Sequence, residues 1–147
     1  LDFTIFRFFN TYGPKQSTDF VMSKFIEAAL SNKDITIYGD GSQTRTFCYV
    51  DDNVEACLNA FYTHRFVNDV INVGNDHETS ILELAQLIKK ILNSKSNIVH
   101  LPALKEGDMT RRCPDIGKMK ILLNRELTPL EIGMERVIEV FRNKKGK

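Results

Sequence analysis

A short loop in the first third of the chain combines turn-forming residues with one arginine. Asp40 and Gly41 form a dipeptide that is typical of tight turns, because both residues tolerate a positive φ. Arg45 follows closely, and its guanidinium offers a planar set of donors that matches two phosphate oxygens. If Arg45 binds a diphosphate, the charge-assisted contact contributes about 1.5–3 kcal/mol. The residues alone leave an alternative open, a surface hairpin whose arginine contacts only solvent.

A second loop places two adjacent arginines, Arg111 and Arg112, after a predicted turn over 106–108. Two guanidinium groups that face Arg45 across a cleft would suit a diphosphate and a ribose. The alternative is that both arginines form surface ion pairs with Asp115 or Glu106, each worth under about 1 kcal/mol.

The elements that must position the first loop are predicted from their composition. Ile35–Tyr38 is expected to be a strand and Thr46–Val50 a second extended segment, since both are rich in β-branched and aromatic residues. Asp51 and Asp52 are candidates for the N-cap of a helix that runs from Asp52 to Thr63. The apolar side of this helix is expected to consist of Val54, Cys57, Leu58 and Phe61.

The chain opens with an extended segment, Phe3–Phe9, that carries apolar residues on both faces. Such a strand is typical of the middle of a parallel sheet, and Val70–Val73 is the best candidate for a buried neighbour. Asn10 follows at the carboxyl end of the strand, where open α/β sheets bind ligands, in a segment that Gly13 and Pro14 mark as a loop. An Asx turn that closes this loop is the alternative role for Asn10.

Four further helices and one strand complete an alternating α/β pattern. Ser80 and Glu83 form a capping box, which predicts a helix start at Ile81. The predicted elements are helices over 19–32 and 81–92, a strand over 98–101, a short helix from Asp115, and a last helix after Pro129 that ends near Arg142. Since no repeat or long linker interrupts the pattern, we expect one domain over residues 1–147.

Composition excludes several functional classes. Hydrophobic residues at 42% and charged residues at 27% are ordinary for a globular domain, and a net charge of +1 gives no general attraction to nucleic acid or membranes. No apolar stretch is long enough to span a bilayer, and no signal-peptide pattern is present. The three cysteines are widely spaced and unpaired in pattern, which is typical of reduced thiols and predicts a cytoplasmic protein. The three histidines do not have metal-ligand spacing, so no metal site is expected.

Four blocks of the sequence resemble the NAD-dependent epimerase/dehydratase family, the extended short-chain dehydrogenases that act on nucleotide sugars. In chain order the blocks are Arg7–Pro14, Tyr38–Asp52, Ile71–Asn75 and Arg111–Ile116. Their order and spacing agree with the family, so the resemblance covers essentially the whole chain. The most similar branch contains UDP-glucuronate decarboxylases and dTDP-glucose 4,6-dehydratases. The chain resembles only the carboxy-terminal half of such an enzyme.

This resemblance implies an α/β fold, namely the C-terminal substrate-binding lobe of a Rossmann-type enzyme. One or two strands of the parent parallel sheet are expected, with most of that sheet missing. The resemblance also implies NAD as the cofactor of the intact parent and a UDP- or dTDP-sugar as substrate. The missing amino-terminal half, or a second protomer, is the implied protein partner.

The resemblance implies roles for six residues. The substrate would be bound by Asn10, Tyr38, Arg45, Asp108 and Arg112, with Arg45 and Arg112 on the diphosphate and Asp108 near the ribose. Thr11 would lie on the cofactor side. Two departures weaken the cationic lining, since Lys15 stands where many relatives have arginine and Asp19-Phe20 where the favoured branch has a Gly-Arg pair.

No catalytic residue of the family is found in the chain. None of the four tyrosines is followed four residues later by lysine, and the eight glycines form no phosphate-binding pattern after a strand. Hydride transfer requires both features, so the chain alone is expected to be inactive and to bind no NAD tightly. Two alternatives to the substrate lobe remain open. One is a stand-alone nucleotide-sugar binding module, and the other is an interaction or scaffold protein that associates through Phe3–Phe9.

Overall fold

The structure is a computed structural model, and it describes residues 1–103 and 111–145. The strands are β1 (Thr4–Phe8), β2 (Thr11–Tyr12), β3 (Ile35–Tyr38), β4 (Thr44–Thr46), β5 (Cys48–Tyr49), β6 (Asp69–Val73), β7 (Glu78–Ser80) and β8 (Ile98–Leu101). The helices are α1 (Val21–Leu30), α2 (Val50–Thr63), α3 (Ile81–Leu92), α4 (Gly117–Leu123) and α5 (Leu130–Lys145). This order confirms the predicted α/β class.

Within the described ranges the strands form four two-stranded sheets. Three pairs are parallel, β1 with β6, β2 with β5 and β3 with β8, while β4 and β7 are antiparallel. The predicted pairing of the opening strand with the segment around Val70–Val73 is confirmed. β3 and β4 are not paired with each other, so the loop between them is not a simple hairpin.

Two hydrophobic clusters hold these pairs together. The first fills the space between β3 and the helices α1, α3 and α5, with Ile26, Ile35 and Leu84 fully buried. The second lies between α2, α4 and the β1–β6 pair, and includes Ile71 and Met119. Fully burying a side chain of this size contributes about 1.5–3 kcal/mol, so each cluster fixes the strands that pack on it.

Several helix boundaries differ from the predicted ones. α1 begins at Val21 rather than Asp19, because Asp19 is engaged with Ser17, whose Oγ donates to Asp19 Oδ2 over 2.9 Å. α4 begins at Gly117, whose N–H donates to Asp115 Oδ1 over 2.8 Å. By contrast, the Ser80 capping box and the bounds of α3 are as predicted.

The prediction that Asp51 or Asp52 caps α2 is wrong. The helix begins at Val50, so both carboxylates lie in its first turn. Asp52 is buried and accepts hydrogen bonds from the N–H and hydroxyl of Thr128, at 2.9 and 2.8 Å. Arg125 Nη2 lies 2.9 Å from the same carboxylate. Asp52 therefore ties α2 to the segment before α5 instead of capping its own helix.

The predicted apolar side of α2 is also wrong. The buried positions include Asn53, Ala56 and Ala60, which are small enough for close contact with the neighbouring elements. The larger apolar residues lie on the opposite side, where Val54, Leu58, Phe61 and Tyr62 are 52%, 48%, 71% and 72% exposed. These four residues form the α2 apolar stripe.

Two extended segments also differ from prediction. The loop predicted after β1 contains the short strand β2, which pairs with β5. The extended segment predicted over 46–50 is divided between β4 and β5, which pair with different partners. Phe47 separates them, and it is buried in the first cluster.

Candidate functional site

The loop between β3 and β4 is held rigidly by its own polar groups. Gly39 and Gly41 adopt positive φ values of 70° and 78°, which glycine reaches without steric cost. The N–H and Oγ of Ser42 both donate to Asp40 Oδ1, at 2.9 and 2.7 Å. These hydrogen bonds from Ser42 lower the pKa of Asp40, because they stabilise its charged form. The turn predicted from Asp40-Gly41 is therefore held in one conformation, which restrains the start of β4 and the position of Arg45 on that strand.

A cavity of about 500 Å³ lies between the end of β1, helix α1, strand β3 and strand β4. Three of the predicted substrate-binding residues, Asn10, Tyr38 and Arg45, are among its lining residues. Arg45 is partly buried, and its Nη1 donates to the Thr44 carbonyl over 2.7 Å. Tyr38 is 46% exposed. The structure thus brings together residues that are 35 positions apart in the chain, Asn10 and Arg45.

Asn10 has two features of a ligand-binding residue. Its φ of 39° lies in the left-handed region, which asparagine tolerates better than most residues. Its Nδ2 atom is buried and has no hydrogen-bond partner within the described ranges. A buried amide donor without a partner costs about 1–3 kcal/mol, so the group is suited to an acceptor that a ligand supplies.

Gln16 is a candidate that the sequence did not indicate. Its Nε2 donates to the Thr11 carbonyl over 2.9 Å, and this contact fixes the orientation of the side-chain amide. Its Oε1 is buried without a partner among the described residues, and Gln16 lines the same cavity as Asn10. Two residues of the cavity lining thus each carry a buried polar atom, one donor and one acceptor, that has no partner among the described residues. No sequence signal marked Gln16, because it lies in an irregular loop after Pro14.

Thr11 lies beside the cavity but is oriented toward α2. Its Oγ1 accepts a hydrogen bond from Asn53 Nδ2 over 2.6 Å, and Cys48 Sγ donates to Asn53 Oδ1 over 2.8 Å. Burial, and then the charge of Asp52, raises the pKa of Cys48 to about 12, so this thiol remains a donor at neutral pH. Since Thr11 Oγ1 accepts from Asn53, its own hydroxyl proton is available to donate elsewhere.

Arg112 lies on the exposed segment that leads into α4, outside the described lining of the cavity. Its neighbour Arg111 forms an ion pair with Glu78 of β7, with Nη2 2.8 Å from Oε2. The predicted alternative of surface pairing thus applies to Arg111, although the partner is Glu78 rather than Asp115 or Glu106. Asp108 lies outside the described residues, and the roles of Asp108 and Arg112 stay predictions.

A second cavity, of about 620 Å³, has an unsuitable charge for a diphosphate. Its charged lining residues are Asp76, Glu78, Glu83, Glu126 and Glu131 with Lys120. Lys120 is already paired with Asp76 over 2.6 Å. An anion would meet net repulsion there, so the cavity that contains Arg45 is the better nucleotide site.

Neither a metal site nor a dinucleotide site is formed by the described residues. Within residues 1–103 and 111–145, no three His, Cys, Asp or Glu side chains are grouped to hold a metal ion. Among the described residues two helices, α2 and α3, directly follow a strand. α2 has Asp51 and Asp52 in its first turn, while α3 has the capping box of Ser80 and Glu83. The capping box therefore occupies the amino terminus of α3, and the two carboxylates in the first turn of α2 disfavour an anion there.

No helix in the described part of the chain combines the length and the apolar character needed to cross a membrane.

The sequence of the chain is similar to a known protein family and to characterised enzymes. The model of the NAD dependent epimerase/dehydratase family matches residues 1–74, just over half of the chain. UDP-glucuronic acid decarboxylase 1 of Danio rerio is 42% identical over 138 residues, which cover 92% of this chain and 32% of the relative.

Solved structures agree with these sequence relatives. The UDP-glucose 4-epimerase of Thermotoga maritima, determined with UDP-glucose, aligns with a TM-score of 0.89 and 34% identity. That alignment covers 99% of this chain and 47% of the epimerase. The UDP-glucuronic acid 4-epimerase of Bacillus cereus, in complex with UDP-glucuronic acid and NAD, aligns with a TM-score of 0.86 and 31% identity, over 96% of this chain and 45% of its own. The chain thus spans about a third to a half of the length of these relatives, and corresponds to a C-terminal portion of them.

Proposed function

The chain belongs to the NAD dependent epimerase/dehydratase family, and we propose that its 500 Å³ cavity binds the nucleoside diphosphate of a UDP- or dTDP-sugar. The observation that carries this proposal is that Asn10 Nδ2 and Gln16 Oε1 are buried without partners among the described residues, on two residues that line the same cavity as Arg45. Solved relatives with UDP-glucose or UDP-glucuronic acid support the class of ligand.

Four lining residues, and two residues predicted from the family resemblance, have chemical roles in this proposal. The guanidinium of Arg45 binds the diphosphate, where a charge-assisted hydrogen bond contributes about 1.5–3 kcal/mol. Asn10 Nδ2 donates to a phosphate or sugar oxygen, and Gln16 Oε1 accepts from a hydroxyl. The half-exposed ring of Tyr38 offers an apolar face to the ligand. Arg112 and Asp108 add a second cation and a ribose contact. This binding energy positions the sugar for reaction.

We expect this chain alone to bind NAD poorly, because a capping box occupies the start of α3, two carboxylates lie in the first turn of α2, and the sequence lacks a glycine-rich phosphate loop. NAD supplies the hydride acceptor and donor in enzymes of this kind. The residues of this chain would bind and orient the sugar nucleotide, with the Thr11 hydroxyl on the cofactor side. We therefore expect the 147-residue chain alone to bind nucleotide without turnover.

The surfaces around β1 support a second polypeptide unit that would complete the site. Within the described residues β1 pairs only with β6, which leaves its other edge without backbone partners. Phe3, Ile5 and Phe8 are 50%, 49% and 57% exposed. An added parallel strand would cover this edge, and the family's amino-terminal half or a second protomer would provide it.

The α2 apolar stripe favours a second candidate function, an interaction module without catalysis. Phe61 and Tyr62 stack edge to face, with ring centroids 5.3 Å apart, on the exposed side of the helix. Exposed aromatic clusters of this kind are typical of protein contacts. An interaction module would bind another protein without binding UDP, whereas the proposed nucleotide site would bind UDP.

Calorimetric titration of the chain with UDP and with UDP-glucuronic acid tests the proposal. We expect micromolar binding of UDP, and a loss of about tenfold or more in the Arg45→Ala variant, from the charged contact given above. Arg65→Ala is the matched control, because Arg65 is an exposed arginine after α2 that does not line the cavity. Absence of UDP binding by the chain, with or without an added amino-terminal half, would contradict the proposal.

A further inference from the structure

We propose that Glu78 is a positioning residue that joins the two arginine-bearing segments of the nucleotide site, so that the contribution of Arg112 to UDP affinity depends on Glu78. This inference rests on the proposed function, and it adds a residue that contacts no ligand.

The geometry of Glu78 is that of a bridge between two separate parts of the chain. Oε1 accepts hydrogen bonds from Thr44 Oγ1 at 2.7 Å and from Arg111 Nε at 3.0 Å. Oε2 accepts from Arg111 Nε at 3.0 Å and from Arg111 Nη2 at 2.8 Å. One carboxylate therefore binds β4, through Thr44, and the segment before α4, through Arg111. A two-point guanidinium–carboxylate contact fixes orientation as well as distance.

The register of β4 and β7 places this bridge next to Arg45. Arg45 pairs with Thr79, and Thr46 pairs with Glu78, in the antiparallel ladder. Thr44, the residue that donates to Glu78, directly precedes Arg45 in the chain. Because the ladder fixes Arg45 and Glu78 relative to each other, a segment bound to Glu78 is also fixed relative to Arg45.

The segment that contains Arg112 is held at its other end by β6. Asn72 Nδ2 donates to the Asp115 carbonyl over 3.0 Å. Pro114 is buried, and its Cγ lies 3.2 Å from the position that a Cβ on Gly74 would occupy. Arg112 thus lies between two anchors, Glu78 at Arg111 and β6 at residues 114–115. Cys113 Sγ also donates to the Asp76 carbonyl over 3.6 Å, so loss of the Glu78 contact would loosen the segment at Arg111 rather than release it.

The charge state of Glu78 supports this role at neutral pH. Its side chain is 27% exposed, and hydrogen bonds from Arg111 and then from Thr44 lower the pKa of the carboxyl group. Glu78 is therefore ionised over the whole physiological range and keeps both contacts.

A double-mutant cycle on UDP affinity tests the dependence. Glu78→Gln keeps a side chain of similar shape but removes the charge, and we expect it to weaken UDP binding by about fivefold, the lower end of typical coupling between sites. In an Arg112→Ala background the same substitution should have no further effect. Asp76→Asn is the matched control, because it breaks a nearby exposed ion pair, with Lys120, that joins neither segment to β4. An equal loss in both backgrounds, or no loss in the wild-type background, would overturn the proposal.

Amide hydrogen exchange without nucleotide separates this inference from the proposed function. If the chain binds no UDP, the proposed function fails, but the bridge itself is still testable. We expect residues 111–113 to exchange faster in Glu78→Gln than in Asp76→Asn, at an unchanged thermal midpoint. Equal exchange in the two variants would show that Glu78 does not position the segment.

Discussion

Two buried polar side-chain atoms indicate the chemical class of ligand that the cavity would bind. Asn10 Nδ2 and Gln16 Oε1 are buried without partners among the described residues, whereas most buried polar groups in proteins are satisfied. Both residues line a cavity that Arg45 also lines. An oxygen-rich anion with hydroxyl groups would offer an acceptor to Asn10 and a donor to Gln16, which supports the proposal of a sugar nucleotide over an apolar ligand.

Asn10→Asp is expected to reduce UDP affinity by more than about tenfold while leaving the fold intact. The substitution is nearly isosteric and tolerates the same left-handed backbone, but it replaces a donor with a carboxylate that repels the diphosphate. Calorimetry and circular dichroism measure the two effects. Unchanged affinity in a folded variant would remove Asn10 from the site.

Because the Cys48 thiol is buried, we expect the chain to lose stability at alkaline pH. Its pKa is raised to about 12 by burial and then by Asp52, against an ordinary value of 9.0. The unfolded chain therefore loses the thiol proton before the folded chain does, and the free energy of unfolding falls as pH rises above 9. From about pH 8 to pH 10.5 this one group removes about 2 kcal/mol.

Urea unfolding of the wild type and of Cys48→Ala at both pH values measures this contribution. The variant should show the smaller decrease between the two pH values. Equal decreases would mean that Cys48 has no part in the alkaline transition. Burial, and then the charge of Cys48, also raises the pKa of the Tyr12 phenol, so the difference between the two proteins includes the interaction of Cys48 with Tyr12.

At the scale of elements, helix α2 shows where sequence periodicity misleads. Its large apolar residues have helical spacing, yet the side that is buried carries Asn53, Ala56 and Ala60. Two reasons explain the difference. Asp52 and Asn53 have buried partners, which rotate the polar start of the helix inward, and small residues allow close packing. Sequence periodicity shows which side of a helix is apolar, but it does not show which side packs against the neighbouring elements.

Ala60→Leu is therefore expected to destabilise the chain by about 1–3 kcal/mol, because a larger side chain does not fit at a position that is only 4% exposed. Leu58→Ala is the matched comparison on the stripe, where Leu58 is 48% exposed, and it should cost under about 0.5 kcal/mol. Denaturant unfolding of both variants measures the difference. A larger loss of unfolding free energy in Leu58→Ala than in Ala60→Leu would indicate instead that the Leu58 side of α2 is buried, as periodicity predicts.

Other elements could be predicted because their signals are local. The Ser80–Glu83 capping box fixed the start of α3, and the composition of β3 and β8 marked both strands, since neither signal depends on distant residues. The division of β4 from β5, and the bridge through Glu78, could not be predicted. Both depend on partners 32 to 37 residues away in the chain, which no local pattern specifies.

At the scale of the whole molecule, the uncovered surfaces predict association. The edge of β1 that has no backbone partner in the described part of the chain and the α2 apolar stripe each expose apolar area that a second unit would cover. We expect concentration-dependent self-association of the chain in sedimentation velocity experiments. Ile5→Glu should reduce it, because a charge on β1 opposes pairing with another strand. A monomer at all concentrations would contradict this expectation.

A crystal structure of the chain with UDP tests the central claim most directly. We predict the uracil and diphosphate in the cavity between α1, β3 and β4, with a phosphate oxygen about 2.7–3.2 Å from the Arg45 guanidinium and an oxygen of the ligand at the same range from Asn10 Nδ2. UDP bound elsewhere on the chain, with Asn10 and Arg45 out of contact with it, would contradict the account.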